Sequence, residues 1–418
     1  MRLSALWRGV LLSAAMAGLI SCGGGAGPGL AGGGIGGTGI SQGPVTGFGS
    51  IFVNGLEIET TGAKIEVEDN PSASQNDLHV GMVVLVEWEK DASGKYTAKR
   101  VKYADDVQGP VDSITPPATG GTFIVLGQTV RVDGLTVFSG TSGIAGTNPL
   151  KQSDIVEVSG LKDTTGVIHA TRVEVKTGSS EPSEIKGRVT AYTPGTNTFN
   201  IGEVTVSFSS SVPAGLGNGV CVEVKGTFDS ATSIITATSI ELDDSCGLGG
   251  VAEGKEVEVE GFISDLAAAA GTFKVNGQPV RYDTATRYEN GDAGNLRNNV
   301  RVEAEGTVSN GVLVAKKISF KLGGDDDSAG GGTGGGGIAV SEVTGAVIGK
   351  AANRVTVSDD AQPSAQIPVT VNNDTLFEDG IHRDLSNVEL NERLKIKFYE
   401  KDGVKIALKI EREGVEDD

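Results

Sequence analysis

A five-fold repeat extends from residue 43 to residue 414 of this chain. Each unit opens with a Gly-x-Val/Ile triplet, and successive openings lie 66, 78, 74 and 84 residues apart. The five opening glycines are Gly43, Gly109, Gly187, Gly261 and Gly345. A period of this length indicates an array of small modules, each built from one supersecondary unit. The 418 residues are therefore organised as about five modules rather than as a few ordinary domains.

The first half of each unit predicts a β-hairpin. Asn-Gly pairs follow short apolar strands at Asn54 and Asn276, and Asn-Gly supplies the positive φ values of a two-residue hairpin turn. Units two and three carry Leu126-Gly127 and Ile201-Gly202 at the same place, which we interpret as degraded forms of this turn.

An alternating strand is the clearest signal in every unit. Period two places its aliphatic side chains on a buried face and its charged side chains on the opposite face. Glu157, Glu223 and Glu303 share one position of this strand, and we expect them to face solvent as isolated carboxylates on separate units. A catalytic pair needs two groups that converge on one substrate, so this arrangement argues against catalysis. Trp88 has the buried parity, and we expect it in the core.

Each unit ends in a strand that carries Ala-x-x-Val/Ile, which completes about five or six short strands and no convincing helix. Dense strand signals of this kind predict an all-β sandwich or barrel. Units this small usually close into barrels, because closure hides the edges of the sheet. We therefore predict a tandem array of about five small antiparallel β-barrel modules joined by Gly-rich linkers.

The repeat resembles the domain of unknown function 5666, a small β-barrel module of bacterial lipoproteins and envelope proteins. The resemblance rests on the Gly-x-Val opening, the Phe-x-Val-x-Gly turn, the Gly-x-x-Val-x-Val-x-Gly strand and the closing Ala-x-x-Val/Ile, and it covers most of residues 43–414. Unit five lacks that turn and the Gly after its alternating strand. The resemblance implies an OB-like barrel, similar to the oligonucleotide/oligosaccharide-binding fold, and no particular activity.

The N-terminus predicts export and lipid attachment. Arg2 and Arg8 form a short positive region before an apolar stretch over 9–20, which is too short to span a bilayer and suits a signal peptide. Residues 19–22, Leu-Ile-Ser-Cys, resemble the lipobox of bacterial lipoproteins, which implies cleavage before Cys22 and its acylation. The Gly at position 23, where Asp would imply inner-membrane retention, favours the outer membrane by the same resemblance. An ordinary cleaved signal with a free Cys22 is the alternative.

These features set the predicted domain boundaries. We predict a lipoprotein signal peptide over 1–21, a tether with the lipidated Cys and many glycines over 22–42, five barrels and one linker: 43–106, 107–178, 183–245, 255–322, the Gly/Asp linker 323–338, and 339–418. The linker holds Asp325, Asp326 and Asp327, but it lacks the alternating acids and terminal Glu of a calcium loop. A flexible linker is therefore favoured over a calcium site.

Cys221 and Cys246 remain once Cys22 is acylated, and an even pair in an exported protein favours a disulfide. In a simple hairpin of the last two strands of unit three, Cys221 would lie near Ser239 and on the solvent face. The segment 243–245 would then have to fold back to bring the two Cα atoms within about 7 Å.

Composition and motifs exclude several functional classes. Lys and Arg number 35 against 54 Asp and Glu, for a net charge of −19, and no basic stripe is present, which argues against nucleic-acid binding. The three His are scattered without metal-ligand spacing, and no Gly-x-Ser-x-Gly elbow occurs. We therefore predict no cofactor, no metal and no catalytic residue, with a hydrolase of unrecognised site as the remote alternative.

These observations predict a non-catalytic, multi-domain binding or adhesion protein. It would be anchored to the bacterial outer membrane through acylated Cys22, on the periplasmic face or the cell surface. Its partners would be the lipid bilayer and an envelope or extracellular polymer, either polysaccharide or protein. Five barrels in series would reach about 140 Å and would bind a repetitive ligand with avidity. The alternative is a structural spacer or scaffold of the periplasm without a specific ligand.

Overall fold

The computed structural model describes residues 37–115, 121–145, 147–177, 182–209, 212–246, 251–323, 339–378, 381 and 385–413. Cys22, the predicted signal peptide and Asp325 to Asp327 of the linker lie outside these residues. The described chain is all-β, as predicted, with three short 3₁₀-helices at Gln75–Asp77, Ala268–Ala270 and Ala293–Asn295. None of the helices in the described chain has the length and apolar character needed to cross a membrane.

The strands fall into five consecutive groups, which we call barrels 1 to 5. Barrel 1 contains β1 (Thr38–Gly47), β2 (Ile51–Val53), β3 (Leu56–Glu59), β4 (Lys64–Val67), β5 (Asn70–Ala73), β6 (Val83–Lys90) and β7 (Tyr96–Tyr103). Barrel 2 contains β8 (Val107–Thr115), β9 (Gly121–Val125), β10 (Gln128–Val132), β11 (Val137–Ser139), β12 (Ile155–Lys162) and β13 (Ile168–Val175). Barrel 3 contains β14 (Ser183–Thr193), β15 (Thr198–Ile201), β16 (Val204–Ser207), β17 (Cys221–Asp229) and β18 (Ile234–Leu242).

The last two barrels follow the same order. Barrel 4 contains β19 (Glu256–Ala267), β20 (Thr272–Val275), β21 (Gln278–Arg281), β22 (Arg287–Glu289), β23 (Arg301–Ser309) and β24 (Val312–Phe320). Barrel 5 contains β25 (Val340–Ala351), β26 (Arg354–Asp359), β27 (Gln366–Thr370), β28 (Leu376–Phe377), β29 (Arg393–Lys401) and β30 (Val404–Arg412). The first strand begins at Thr38, earlier than the predicted start of barrel 1 at residue 43.

Five strands close into a ring in each barrel. In barrel 2, β8 pairs with β9, β9 with β10, β10 with β13, β13 with β12, and β12 again with β8. The pair β10–β13 is parallel and the others are antiparallel, and the same scheme recurs in barrels 1, 3, 4 and 5. Each ring encloses its own aliphatic core.

The opening glycine of a unit lies where the hairpin turn packs onto the first strand. A Cβ at Gly43 would lie 2.1 Å from Oδ1 of Asn54, and a Cβ at Gly261 would lie 2.4 Å from Oδ1 of Asn276. The same Asn276 side chain donates from Nδ2 to the carbonyl oxygen of Glu260, over 2.8 Å. The Gly-x-Val opening and the Asn-Gly turn are therefore two parts of one contact, which leaves no room for a side chain.

The hairpin turns have the expected positive φ angles. Asn54 and Gly55 have φ values of 51° and 75°, as a two-residue hairpin turn requires. Leu126 and Gly127, interpreted as a degraded turn, have the corresponding values of 47° and 71°. The turn of unit two is thus retained in conformation although its first residue has changed from Asn to Leu.

Barrels also pair with each other through their first strands. Strand β1 runs parallel to β19, with Gly39 opposite Glu256, and β8 runs antiparallel to β14, with Gln108 opposite Glu184. Barrel 1 therefore shares a sheet with barrel 4, while barrel 2 shares a sheet with barrel 3. The described residues, from Gly37 onward, belong to one compact unit. The expectation of five barrels extended in series over about 140 Å is therefore wrong.

The outer faces of the barrels are buried against one another, and this corrects the expectation for the strand glutamates. Glu157, Glu223 and Glu303 are only 5%, 9% and 2% exposed. Period two does place them outside their own barrel interior, but a neighbouring barrel covers that outer face. Trp88 lies buried in the core of barrel 1, as predicted.

The register of the last hairpin in barrel 3 differs from a simple hairpin. In the pairing of β17 with β18, Ser239 lies opposite Lys225 and Leu242 lies opposite Val222. The amide of Asp243 donates to the carbonyl oxygen of Cys221 over 3.1 Å, so Cys221 lies beside Asp243 rather than beside Ser239. Cys221 is also buried rather than on the solvent face. The shift shortens the segment that leads to Cys246, and the structure joins the two cysteines in a disulfide with Cα atoms 5.9 Å apart.

Candidate functional site

Five carboxylates from three barrels converge where barrels 1, 2 and 3 meet, and we call this group the acidic cluster. It comprises Glu68, Asp105, Glu157, Glu184 and Glu223. Glu68, Asp105 and Glu184 each have one carboxylate oxygen within 4.8 Å of the other two. The expectation that Glu157 and Glu223 are isolated on separate units is therefore wrong.

Strand register places these side chains on one face. Gln108 of β8 lies opposite Glu157 of β12 on one side and opposite Glu184 of β14 on the other. Glu184 in turn lies opposite Lys225 of β17. Because side chains directly opposite each other share a face, this row of four points to the same side of the joined sheet. The neighbour Ile185 has the other parity and is buried in the core of barrel 3.

A turn and a link between barrels bring Glu68 and Asp105 into the cluster. Glu68 has φ of 48° in the turn between β4 and β5, and its amide donates to the carbonyl oxygen of Tyr103 over 3.1 Å. Its Oε1 accepts from the amide of Asp105 over 2.8 Å. Asp105 belongs to the short link between β7 of barrel 1 and β8 of barrel 2. The link thus brings Asp105 next to Glu68, although strands β5, β6 and β7 separate the two residues in the sequence.

One oxygen of each inner carboxylate lacks a hydrogen-bond partner among the described residues. These atoms are Oε2 of Glu68, Oδ1 of Asp105 and Oε1 of Glu184. Asp105 and Glu184 are buried, at 1% and 3% exposure. A buried polar group without a partner costs about 1–3 kcal/mol, and a charged one costs more.

Burial and mutual repulsion raise the pKa values of the inner acids. Burial, reinforced by the charge of Glu157, raises the pKa of Glu68 to about 8. Burial and the proximity of Glu223 raise the pKa of Glu184 to about 9. Burial, together with Glu68 and Glu184, also raises the pKa of Asp105 well above its ordinary value. In the structure as it stands, the cluster therefore favours protonated carboxyls near neutral pH.

Three lysines border the cluster and offset part of its charge. Lys225 contacts Glu184 at 2.9 Å and Glu223 at 3.3 Å, and Lys176 contacts Glu157 at 2.5 Å. Buried Lys186 donates from Nζ to the carbonyl oxygen of Ala104. Five carboxylates face three ammonium groups, so a fully ionised cluster would retain an excess of negative charge. A group of carboxylates without sulfur or imidazole ligands suits Ca²⁺, Mg²⁺ or Mn²⁺.

A second cavity, of about 320 Å³, lies among barrels 1 to 4 and is called here the basic cleft. Three cationic side chains line it: Lys162, Lys186 and Arg188. Asp106 is the single carboxylate among its described lining residues. Lys162 lies 3.8 Å from Asp106 and donates to the carbonyl oxygen of Lys186 over 2.6 Å. Burial lowers the pKa of Lys162, so its charge would gain from an anionic neighbour.

Unpaired polar atoms also face the basic cleft. Oε1 of Gln42 and Oγ of Ser245 are buried without a partner in the described structure, and both residues line the cavity. Nε2 of Gln42 donates to the carbonyl oxygen of Ser245, which ties barrel 1 to the tail of barrel 3. The cleft thus offers both ammonium donors and neutral polar groups.

The disulfide forms part of the wall of the basic cleft. Cys246 lines the cavity, and the residues just before it bind barrel 1, since Lys102 contacts Asp243 at 2.9 Å and Asp244 at 3.0 Å. The Cys221–Cys246 bond was expected to hold the exit of unit three on its own barrel. In the structure it also holds that segment against barrel 1.

The histidines behave differently from one another. His169 lies 3.2 Å from Asp163 through Nε2. Burial lowers the pKa of His169, which favours the neutral ring. His382 lies outside the described residues.

Sequence reasoning missed Glu68, Asp105 and Glu184. They belong to a turn of barrel 1, the link that follows barrel 1 and the first strand of barrel 3, and each is unremarkable in its local sequence. The single available signal was the repeated Glu of the alternating strand, which was assigned to solvent. The assembly of the cluster depends on contacts between barrels, which no single repeat encodes.

Comparisons with known proteins found several solved structures and one family model. Among solved structures, the chain is similar to apo-CusF residues 6–88 from Escherichia coli, at 16% identity over 18% of this chain and 88% of that chain, with a TM-score of 0.15. It is also similar to Ag(I)CusF, at 16% identity over 18% and 97% of the two chains and a TM-score of 0.15. Drosophila Unr CSD456 matches at 14% identity over 57% and 100%, with a TM-score of 0.14.

Comparison with curated protein sequences found no match. A family model matches five segments of the chain, at residues 41–102, 108–174, 186–241, 260–319 and 344–411, in register with the five barrels. These segments cover well over half of the sequence and carry the glycine and hairpin motifs of each repeat. The chain therefore belongs to the family described as Domain of unknown function (DUF5666), of which it contains five copies.

Proposed function

We propose that this chain is a non-catalytic binding protein of the bacterial envelope, anchored to the outer membrane through acylated Cys22. In this proposal the five barrels present the basic cleft to an anionic, polar ligand, such as a segment of an acidic polysaccharide. The repeated β-barrel architecture supports a binding or scaffold role, and the cleft favours binding.

The charge of the cleft is the observation that carries the proposal. The chain has a net charge of −19, yet Lys162, Lys186 and Arg188 meet in one cavity beside a single lining carboxylate in the described structure. A cavity of about 320 Å³ is at the small end of ligand sites, which suits one or two sugar units rather than a folded partner. Asp106 is engaged by the amide of Gly160 over 2.9 Å and by Lys162, which supports a binding role over an acid–base role.

The proposal is tested by calorimetric titration of the purified chain with digalacturonate, using the neutral sugar maltose as a control ligand. We expect digalacturonate to bind, and the affinity to fall in Lys162→Gln and with added salt, because the contact is charged. Lys151→Gln is the matched control, since it removes one exposed positive charge from barrel 2 outside the cleft. Equal binding of maltose, or equal loss in both variants, would contradict the proposal.

A structural scaffold without a ligand is the second candidate. It is favoured by the two shared sheets, one of which joins the consecutive barrels 2 and 3 and the other the non-consecutive barrels 1 and 4. A scaffold would bind neither digalacturonate nor maltose. In that case Lys162→Gln would change the thermal stability of the chain without a ligand-dependent effect.

A further inference from the structure

We infer that Glu68, Asp105 and Glu184 form a binding site for a hard divalent cation of the size of Ca²⁺, which joins barrels 1, 2 and 3. The inference concerns the acidic cluster alone and does not depend on what the basic cleft binds. It rests on the spacing of the oxygens, their missing partners, the cavity beside them and the balance of charge.

The spacing of the three carboxylates fits one ion. Calcium binds oxygen at about 2.3–2.6 Å, so two ligands of the same ion are separated by at most about 5 Å. One oxygen from each of Glu68, Asp105 and Glu184 lies within 4.8 Å of the other two. Sulfur and imidazole ligands are absent from this group, which favours hard cations over copper, silver or zinc.

The missing hydrogen bonds are an independent sign of an occupant. Oε2 of Glu68, Oδ1 of Asp105 and Oε1 of Glu184 are buried and have no donor within the described chain. The remaining oxygens of Glu68 and Glu184 are held in place, by the amide of Asp105 and by Lys225 over 2.9 Å. Each of these two carboxylates is thus oriented through one oxygen and leaves the other free to bind an ion.

A polar cavity gives the site room and access. It measures about 380 Å³ and is lined by Glu68, Glu184, Glu157, Gln108 and Lys225, among others. Calcium takes six to eight oxygen ligands in flexible geometry, so waters in this cavity would complete the coordination begun by three carboxylates. Magnesium requires shorter bonds and a near-octahedral arrangement, which is harder to satisfy with side chains from two barrels and the link between barrels 1 and 2.

The balance of charge favours a cation. Glu157 and Glu223 add two carboxylates around the inner three, while Lys176, Lys186 and Lys225 supply three positive charges. Asp69 binds Lys225 from the exposed side at 2.9 Å and reduces the positive charge available to the cluster. Tyr103 donates to Glu157 over 2.8 Å and adds no charge. A divalent ion would neutralise the excess.

Protons are the competing occupants of the three carboxylates. A carboxylate must be deprotonated to bind a metal, so binding releases protons and the affinity for Ca²⁺ should increase with pH.

The test is calorimetric titration of the full chain, purified in detergent and stripped with EDTA, with CaCl₂ and separately with MgCl₂ at pH 7.5. We expect one Ca²⁺ per chain, tighter than Mg²⁺, with proton release that is measured from buffers of different ionisation enthalpy. Asp105→Asn and Glu184→Gln keep the size of each side chain and remove one charge. Each should weaken Ca²⁺ binding by about 100-fold, since even outer partners of a metal site matter by about 10- to 100-fold.

Glu258→Gln is the matched control. Glu258 is also a buried carboxylate whose pKa burial raises well above its ordinary value, but it lies between barrels 1 and 4 and accepts from Ser41 over 3.2 Å. Its substitution should leave Ca²⁺ affinity unchanged.

Thermal unfolding distinguishes loss of the site from loss of the fold. In EDTA, Asp105→Asn should raise the unfolding midpoint, because it removes an acid that is buried among other acids, while the increase that Ca²⁺ causes in the parent chain should disappear. If the parent chain shows no heat and no change of midpoint with millimolar Ca²⁺ or Mg²⁺, the inference is wrong and protons satisfy the cluster. Equal effects of Asp105→Asn and Glu258→Gln would place any cation elsewhere. If either variant fails to fold, Glu68→Gln replaces it.

Discussion

Gly306, at the bulge of barrel 4, offers a direct test of how closely two paired strands of one barrel pack. Strand β23 shifts its register against β24 between Glu305 and Gly306. A Cβ at Gly306 would lie 2.0 Å from the carbonyl oxygen of Val314 and 2.8 Å from its carbonyl carbon. Carbon and oxygen atoms in sheets normally stay about 3.3 Å apart or more. The substitution Gly306→Ala would therefore force the two strands to separate by about 1 Å.

The expected cost follows from the identity of the obstacle. Overpacking of a core costs about 1–3 kcal/mol when side chains can move aside. Here the obstacle is the backbone of the paired strand, so we expect about 2–3 kcal/mol from Gly306→Ala, in the upper part of that range. Differential scanning calorimetry should show a lower unfolding midpoint, and hydrogen exchange should show faster exchange in β23 and β24 than in the other barrels.

Gly195→Ala is the matched control for this substitution. Nothing lies within 4 Å of a Cβ at Gly195, and its φ is not in the left-handed region. The control should be neutral or stabilising by about 0.4–1 kcal/mol, because alanine reduces the entropy of the unfolded chain. Similar midpoints for the two variants would refute the packing argument.

Three further predictions concern charge, cross-linking and anchoring. Lys321 contacts buried Glu303 at 2.6 Å, and Lys321→Met should cost about 3 kcal/mol near pH 7, measured by thermal unfolding, because it leaves Glu303 with only the longer contact to Lys317 at 3.6 Å; an unchanged midpoint would contradict this. Replacing both Cys221 and Cys246 by Ser should cost about 3–4 kcal/mol in urea unfolding, the chain-entropy value for a 25-residue separation, and equal stability of reduced and oxidised chain would refute it. Cys22→Ala should abolish palmitate labelling and release the chain from membranes, and unchanged fractionation would disprove the anchor.

Much of each barrel is predictable from the local sequence. Alternation of aliphatic and polar residues depends only on the two-residue period of a strand, so it correctly indicates that Trp88 lies in a core. The Asn54-Gly55 turn is set by the left-handed preference of these two residues. Both properties are encoded within a few residues. The alternation recurs in every copy of the repeat, whereas the Asn-Gly pair is present in units one and four.

The candidate sites were decided by the tertiary structure. The alternation that correctly removes Glu157 and Glu223 from the barrel interior says nothing about what covers the outside of the barrel. That depends on β8 pairing with β14 and on the link at Asp105, which bring acids of three modules together. The sequence by itself therefore determined the strands, turns and cores of the five barrels, because those follow from local periodicity. Packing between barrels decided which polar side chains are buried together. Contacts between distant segments create low-dielectric surroundings, and there an ionised carboxylate is stabilised by binding a proton or a cation.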